Sequence, residues 1–136
     1  MRFVDANIFL RHLTGDDSRK AKACRDLFVR LSDGEEVVTT TEAVIAEVVF
    51  VLRSREHYNV PAETVRDLLA PILNLAGLSL AHKTAHLRAL DLMATRGELD
   101  YEDALSVMHA KRQGIAEIYS YDTDFDVIDG LQRVEP

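Results

Sequence analysis

Four acidic residues stand at the ends of short apolar stretches or within helical ones. Asp5 follows Phe3-Val4, Glu47 lies inside the run Val44 to Leu52, Asp103 sits in the acidic start Asp100-Tyr101-Glu102-Asp103, and Asp122 follows Ile118-Tyr119-Ser120-Tyr121. After Asp122 two more aspartates alternate along the chain, Asp124 and Asp126. Like charges held within a few ångströms repel, so a fold keeps carboxylates together only where a cation or a proton offsets the repulsion. The four acids come from two strand ends and two helices, and in a βαβ arrangement they can converge on one edge of the sheet. No Ser-His-Asp or Cys-His set and no glycine-rich phosphate loop accompanies them. An all-oxygen pocket of this kind suits Mg2+ or Mn2+. Such a site activates water and neutralises charge on a phosphodiester.

Each acid also has a plainer reading. Asp5 is placed to cap the helix that follows it. Asp103 lies in a first helical turn, where negative charge suits the macrodipole, although Asp100 and Glu102 already supply that charge. Glu47 has Val44 three residues before it and Val51 four after it, which predicts an enclosed carboxylate. Burial without a partner costs roughly several kcal/mol, so Glu47 is expected to pair with an arginine, take a proton or face a metal.

Other acid-rich motifs fit less well. Asp122-Thr123-Asp124-Phe125-Asp126 has the first ligand positions of a calcium loop, but Val127 replaces the turn glycine and Arg133 the final glutamate. A phosphatase of the Asp-x-Asp-x-Thr type carries its motif after the first strand, not the fourth. A phosphoacceptor domain needs a late lysine, and none follows Lys111. His82 and His86 have a zinc-like i, i+4 spacing without a third ligand, which reads as a solvated helix edge.

The chain has 136 residues and a net charge of −7, with 47% hydrophobic residues, enough for one core in a single domain over residues 1–136. Residues 1–97 carry 13 Lys/Arg and 13 Asp/Glu, whereas residues 98–136 carry 3 and 10, so the whole excess lies with the late acids. An acidic protein ordinarily disfavours nucleic acid, and a divalent cation inverts that local sign. The lone Cys24 shares a helical face with Leu27, Phe28 and Leu31 and reads as a core residue. The start, Met1-Arg2-Phe3-Val4-Asp5, has no signal-like apolar region and no run spans a bilayer, which predicts a cytoplasmic protein without membrane association.

The elements that must position the acids alternate between strand and helix. Strands are expected at Phe3-Val4, Val37-Val38, Gly77 to Leu80 and Ile118-Tyr119, with an edge strand at Leu131 to Val134. Helices are expected over Asn7 to Leu13, over Ser18 to Leu31, from a Thr39/Glu42 capping box through Leu52, from Pro61 to Asn74, over Thr84 to Ala94, and over Tyr101 to Lys111 behind an Asp100 cap. A turn is expected at Thr14-Gly15-Asp16-Asp17. Val65, Leu68, Leu69, Ile72 and Leu73 should form one buried face, and Tyr101, Ala104, Leu105 and Met108 another. Helices between short apolar strands imply a parallel sheet covered on both faces.

Taken together, these segments resemble the PIN-domain ribonucleases, in particular the VapC-like toxins of bacterial and archaeal toxin-antitoxin pairs. The likeness covers nearly the whole chain. Phe3-Val4-Asp5-Ala6-Asn7-Ile8-Phe9-Leu10 is similar to the family's opening, Ala46-Glu47-Val48-Val49-Phe50-Val51-Leu52 to its glutamate helix, and Asp103-Ala104-Leu105 with Ala110-Lys111-Arg112-Gln113-Gly114 to its third motif. Tyr119-Ser120-Tyr121-Asp122-Thr123-Asp124-Phe125 resembles the closing motif, with Ser120 where threonine is commoner. The resemblance implies an α/β/α sandwich around a central parallel sheet of four to five short strands. It implies a metal held by Asp5, Glu47, Asp103 and Asp122, an outer-shell carboxylate from Asp124 or Asp126, and hydrogen bonds from Asn7 and Ser120 to the ligands or the substrate phosphate. The implied activity is Mg2+- or Mn2+-dependent endonucleolytic cleavage of RNA. The implied partners are a second copy of the chain and a small antitoxin lying over the active-site groove.

Two other functions use the same residues. One is a PIN-like fold that has lost catalysis and binds RNA or protein. The other is a metal-dependent phosphatase or DNA nuclease. The RNA target is not written in the sequence, where only scattered basic residues such as Arg11, Lys20, Arg53 and Arg55 are candidates for a groove rim.

Overall fold

A computed structural model of the chain describes residues 1–15 and 17–136. The expected turn at residues 14–17 includes Asp16, which lies outside the described residues. The chain forms two compact units, Met1–Lys83 and Thr84–Pro136.

The first unit holds β1 (Arg2–Phe3), α1 (Ala6–Thr14), α2 (Ser18–Ser32), β2 (Val38–Thr39), α3 (Glu42–Arg53), α4 (Ala62–Leu73) and β3 (Leu78–Ser79). The strands are parallel in the order β1-β2-β3, with Arg2 opposite Val38 and Val38 opposite Leu78. Helix α1 packs on α2 and α3, and α3 packs on α4. Phe9 of α1 meets Phe28 of α2 with ring centroids 5.6 Å apart, and His12 stacks on the same Phe28 at 4.4 Å. Ala21, Cys24, Phe28 and Leu31 are buried along α2, as the helical period requires. Along α4 the buried stripe is Val65, Leu69, Ile72 and Leu73, while Leu68 stands at its margin, 40% exposed.

Two local devices hold this sheet. Val4 donates its amide to Thr39 O at 2.9 Å and accepts the buried Thr40 hydroxyl at 2.9 Å, so the residue before Asp5 is tied through both backbone groups. Gly77 lies so close to the end of α2 that a Cβ there would collide with the Glu36 carbonyl and the Leu31 backbone. That approach lets its amide reach Leu31 O at 2.9 Å and its carbonyl receive the Val38 amide at 2.8 Å. The helix cap differs from expectation. Thr39 is in β2 and donates its hydroxyl to Ser79 O, and Thr41 caps α3 by accepting the Val44 amide. The strand runs one residue further than the apolar pattern alone indicates, displacing the cap.

The second unit holds α5 (Lys83–Thr95), α6 (Tyr101–Arg112), β4 (Glu117–Tyr119), a 3-10 helix (Thr123–Val127) and β5 (Gln132–Val134). Strands β4 and β5 are parallel, with Ile118 opposite Arg133. Leu99, Val107, Phe125, Ile128 and Leu131 form its buried cluster, with Met108 and Ile118 packed partly buried against it. Gly114, at φ 71°, follows α6 in the left-handed region that stops a helix. The fold is thus α/β with parallel strands and intervening helices. The five strands pair as a group of three in the first unit and a group of two in the second. Among the described residues no helix is long and apolar enough to cross a membrane.

Candidate metal and nuclease site

In the first unit Asp5 is exposed and caps α1, accepting the Asn7 amide at 3.0 Å. The cap reading of Asp5 is therefore correct. It also aims the carboxylate outward from the carboxyl end of β1, where ligands of open α/β sheets bind. Asn7 is exposed in the first turn. Glu47 departs from expectation, for it is exposed and not enclosed. Ile45, Val48, Val49 and Leu52 take the buried side of α3. At 100° per residue, Glu47 falls on the other side, together with the exposed Ala43 and Phe50. Apolar neighbours in sequence did not mean apolar neighbours in space.

The second unit gathers the late acids. Asp100 caps α6, accepting the Asp103 amide at 2.8 Å. Asp103 is half-buried in the first turn, and its carboxyl is pushed up from 3.8 to about 6. Burial is the largest cause, followed by the charges of Asp100 and then Asp122. Asp122 leaves β4 and caps the 3-10 helix, accepting the Asp124 amide at 2.9 Å. The Asp124 carboxyl is also raised, chiefly by the charge of Asp122. Ser120 accepts the Asp122 amide on its hydroxyl at 2.9 Å and donates its own amide to Val134 O at 3.1 Å. Its hydroxyl thus orients the chain at Asp122.

The two candidates for an outer carboxylate separate here. Asp126 accepts the Arg133 Nε–H at 2.9 Å, whereas Asp124 shares the field of Asp122, Glu98 and Asp100. Among the described residues no three His, Cys, Asp or Glu side chains form a ready metal-binding group. The donor chemistry nevertheless suits a hard divalent cation. The charge of Asp122 raises the cost of ionising Asp103, and both side chains offer only oxygen.

Three features went unread in the sequence. The 3-10 helix after Asp122 has no strong pattern of its own. Arg133 stood out in the sequence only as the residue that replaces the final glutamate of a calcium loop, although it is the only basic residue after Arg112. His86, expected on a solvated edge, is fully buried, with Nδ1 2.5 Å from the Tyr101 hydroxyl. His82 precedes α5 with φ 56°, so the two histidines do not share a helix. The spacing is therefore not a helical i, i+4 pair, because its first member lies before α5.

Parallel strands alternating with helices define an α/β protein, in which Asp5 follows β1 and Asp122 follows β4. The chain matches the PIN domain family over residues 2–131 and belongs to it. PIN domains are a metal-dependent nuclease fold. No curated protein matches the chain.

Proposed function

We propose that the protein is a metal-dependent endoribonuclease, the toxin of a toxin-antitoxin pair, with Asp5, Glu47, Asp103 and Asp122 as its metal-binding carboxylates and Asp124 in the outer shell. The observation that carries this reading is Asp103. In a PIN-family chain, a half-buried carboxyl held at about 6 by burial and by Asp100 and Asp122 is strained in the way a cation relieves. Magnesium or manganese, when bound, would supply water activation and neutralise charge on the phosphodiester. The residues' part is to hold that charge in place. Asp103 is fixed by its own helix cap, and Asp122 by the Ser120 hydroxyl and the Asp124 amide. Asp5 projects from a backbone tied to β2.

The toxin role draws support from the order and spacing of the four resembling segments. It implies an antitoxin partner and a homodimer. The test is incubation of the pure protein with total RNA, with and without Mg2+ or Mn2+, followed by mapping of cleavage ends. Metal-dependent RNA ends that vanish in Asp122→Asn support the reading. Cleavage of DNA in preference to RNA, or no cleavage with either metal, overturns it.

A further inference from the structure

Residues 113–136 contain six acids and a single cation, Arg133. Its side chain is largely covered, 16% exposed, and every donor contact it makes has a direction. Nε donates to Asp126 Oδ1 at 2.9 Å; the Nη1 donors reach Glu135 Oε1 at 2.9 Å and the Ser120 carbonyl at 3.1 Å. Ser120 lies two residues before Asp122, and Asp126 lies four residues after it. One guanidinium therefore grips the chain on both sides of the Asp122 turn. None of these contacts goes to Asp122 or Asp124. From Ser120 the constraint continues inward, because its hydroxyl holds the Asp122 amide and Asp122 Oδ1 holds the Asp124 amide.

We infer that Arg133 is a positioning residue for the Asp122 end of the carboxylate site: it clamps the turn through Ser120 and Asp126 and leaves Asp122 and Asp124 free to meet a divalent cation. This rests on the metal-site reading above. The geometry fits arginine and not lysine, since three acceptors in separate directions need a planar fork. The arrangement also sorts charge. Asp126 and Glu135 are both paired with a cation whose contacts leave the ligand pair alone.

Simple electrostatics and positioning make opposite forecasts for Arg133→Gln. Removing a positive charge from an acidic region should tighten Mn2+ binding if charge alone matters. Loss of a positioning contact weakens it, by about 10- to 100-fold for supports of metal ligands. Isothermal titration of Mn2+ into the full chain, above the Asp103 titration, separates the two. The expected result is weaker binding by at least about tenfold in both Arg133→Gln and Arg133→Lys. In the metal-free proteins, amide exchange at Asp122 and Asp124 should be faster than in the wild type. If Arg133→Gln does not fold, Arg133→Lys decides, because it keeps the charge and loses the fork. Equal or tighter Mn2+ binding in a folded variant, or unchanged exchange at both amides, overturns the inference and leaves the metal site standing. A wild type that binds no Mn2+, or an Asp122→Asn variant that binds like the wild type, overturns the metal-site reading and this inference with it.

Discussion

Asp100 accepts the Asp103 amide at 2.8 Å while its negative charge raises the Asp103 carboxyl. One carboxylate thus stabilises the start of α6 and destabilises the ionised form of the residue three positions on. The two effects separate in Asp100→Asn, which keeps a capping oxygen and removes the charge. In that variant the Asp103 carboxyl, followed by NMR, should titrate below about 6 but stay above 3.8, because burial is the larger cause. A titration unchanged from the wild type would show that Asp100 does not act on Asp103 through charge.

The raised carboxyl also fixes the sign of a pH dependence. The folded value of about 6 lies above the ordinary 3.8, so between these values the folded state holds the additional proton. Stability from this group is complete below the lower value and is lost as pH rises through the upper one. Asp103→Asn removes the dependence. In chelator, the variant should match the wild type near pH about 4 and exceed it above pH about 6, by a few tenths to about 1 kcal/mol after solvent screening. Denaturant melts across that range read the difference. A variant less stable than the wild type at the upper end would assign Asp103 to the helix start alone.

Which parts of this site were legible in the sequence follows from the range of the forces involved. Asp5 and Asp100 were readable as caps because capping is set within three residues of the chain. The core of α2 was readable because helical period alone decides which of Ala21, Cys24, Phe28 and Leu31 turn inward. Glu47 was misjudged because its surroundings are set by which side of α3 the helices α1 and α4 take, and residue order cannot supply that. His86 and Arg133 depend on partners at Tyr101 and Ser120, 15 and 13 residues away, and no local pattern announces such pairs.

The buried pair of His86 and Tyr101 links α5 to the first turn of α6, two residues from Asp103. Tyr101→Phe removes the hydroxyl and leaves the imidazole Nδ1 without it. The expected loss is about 1 to 3 kcal/mol of stability, the usual cost of a buried polar group deprived of a hydrogen bond. Thermal melts of Tyr101→Phe against the wild type measure it. A change under about 0.5 kcal/mol, the range of ordinary surface substitutions, would mean that the contact contributes nothing to holding α6.

Catalytic roles are separable from structural ones at the two strand-end aspartates. Asp5→Asn and Asp122→Asn each keep nearly the same shape and a capping oxygen, so both should fold with stability close to the wild type. Each should abolish RNA cleavage if the carboxylate charge holds the metal. Cleavage at the wild-type rate under limiting Mg2+ by either folded variant would remove that residue from the site.

Metal binding itself gives the sharpest contrast, because it acts against the repulsion that strains Asp103. A ligand that binds only the folded state stabilises it by mass action, about 2.7 kcal/mol at a hundred times its dissociation constant. For a chain of this size that corresponds to a melting shift of about 5 to 15 °C. Wild-type protein should show a shift of this order with Mn2+, smaller at lower pH, where Asp103 holds a proton that the metal must displace. Asp103→Asn should begin at or above the chelator-treated wild type and gain little from Mn2+. Asp126→Asn is the control: its carboxylate faces Arg133 at 2.9 Å, and a direct ligand role would make it as damaging as Asp103→Asn. The expected result is that Asp126→Asn retains more of the Mn2+ response than Asp103→Asn. Equal loss in both would place Asp126 among the ligands, and a full wild-type response in Asp103→Asn would take Asp103 out of them.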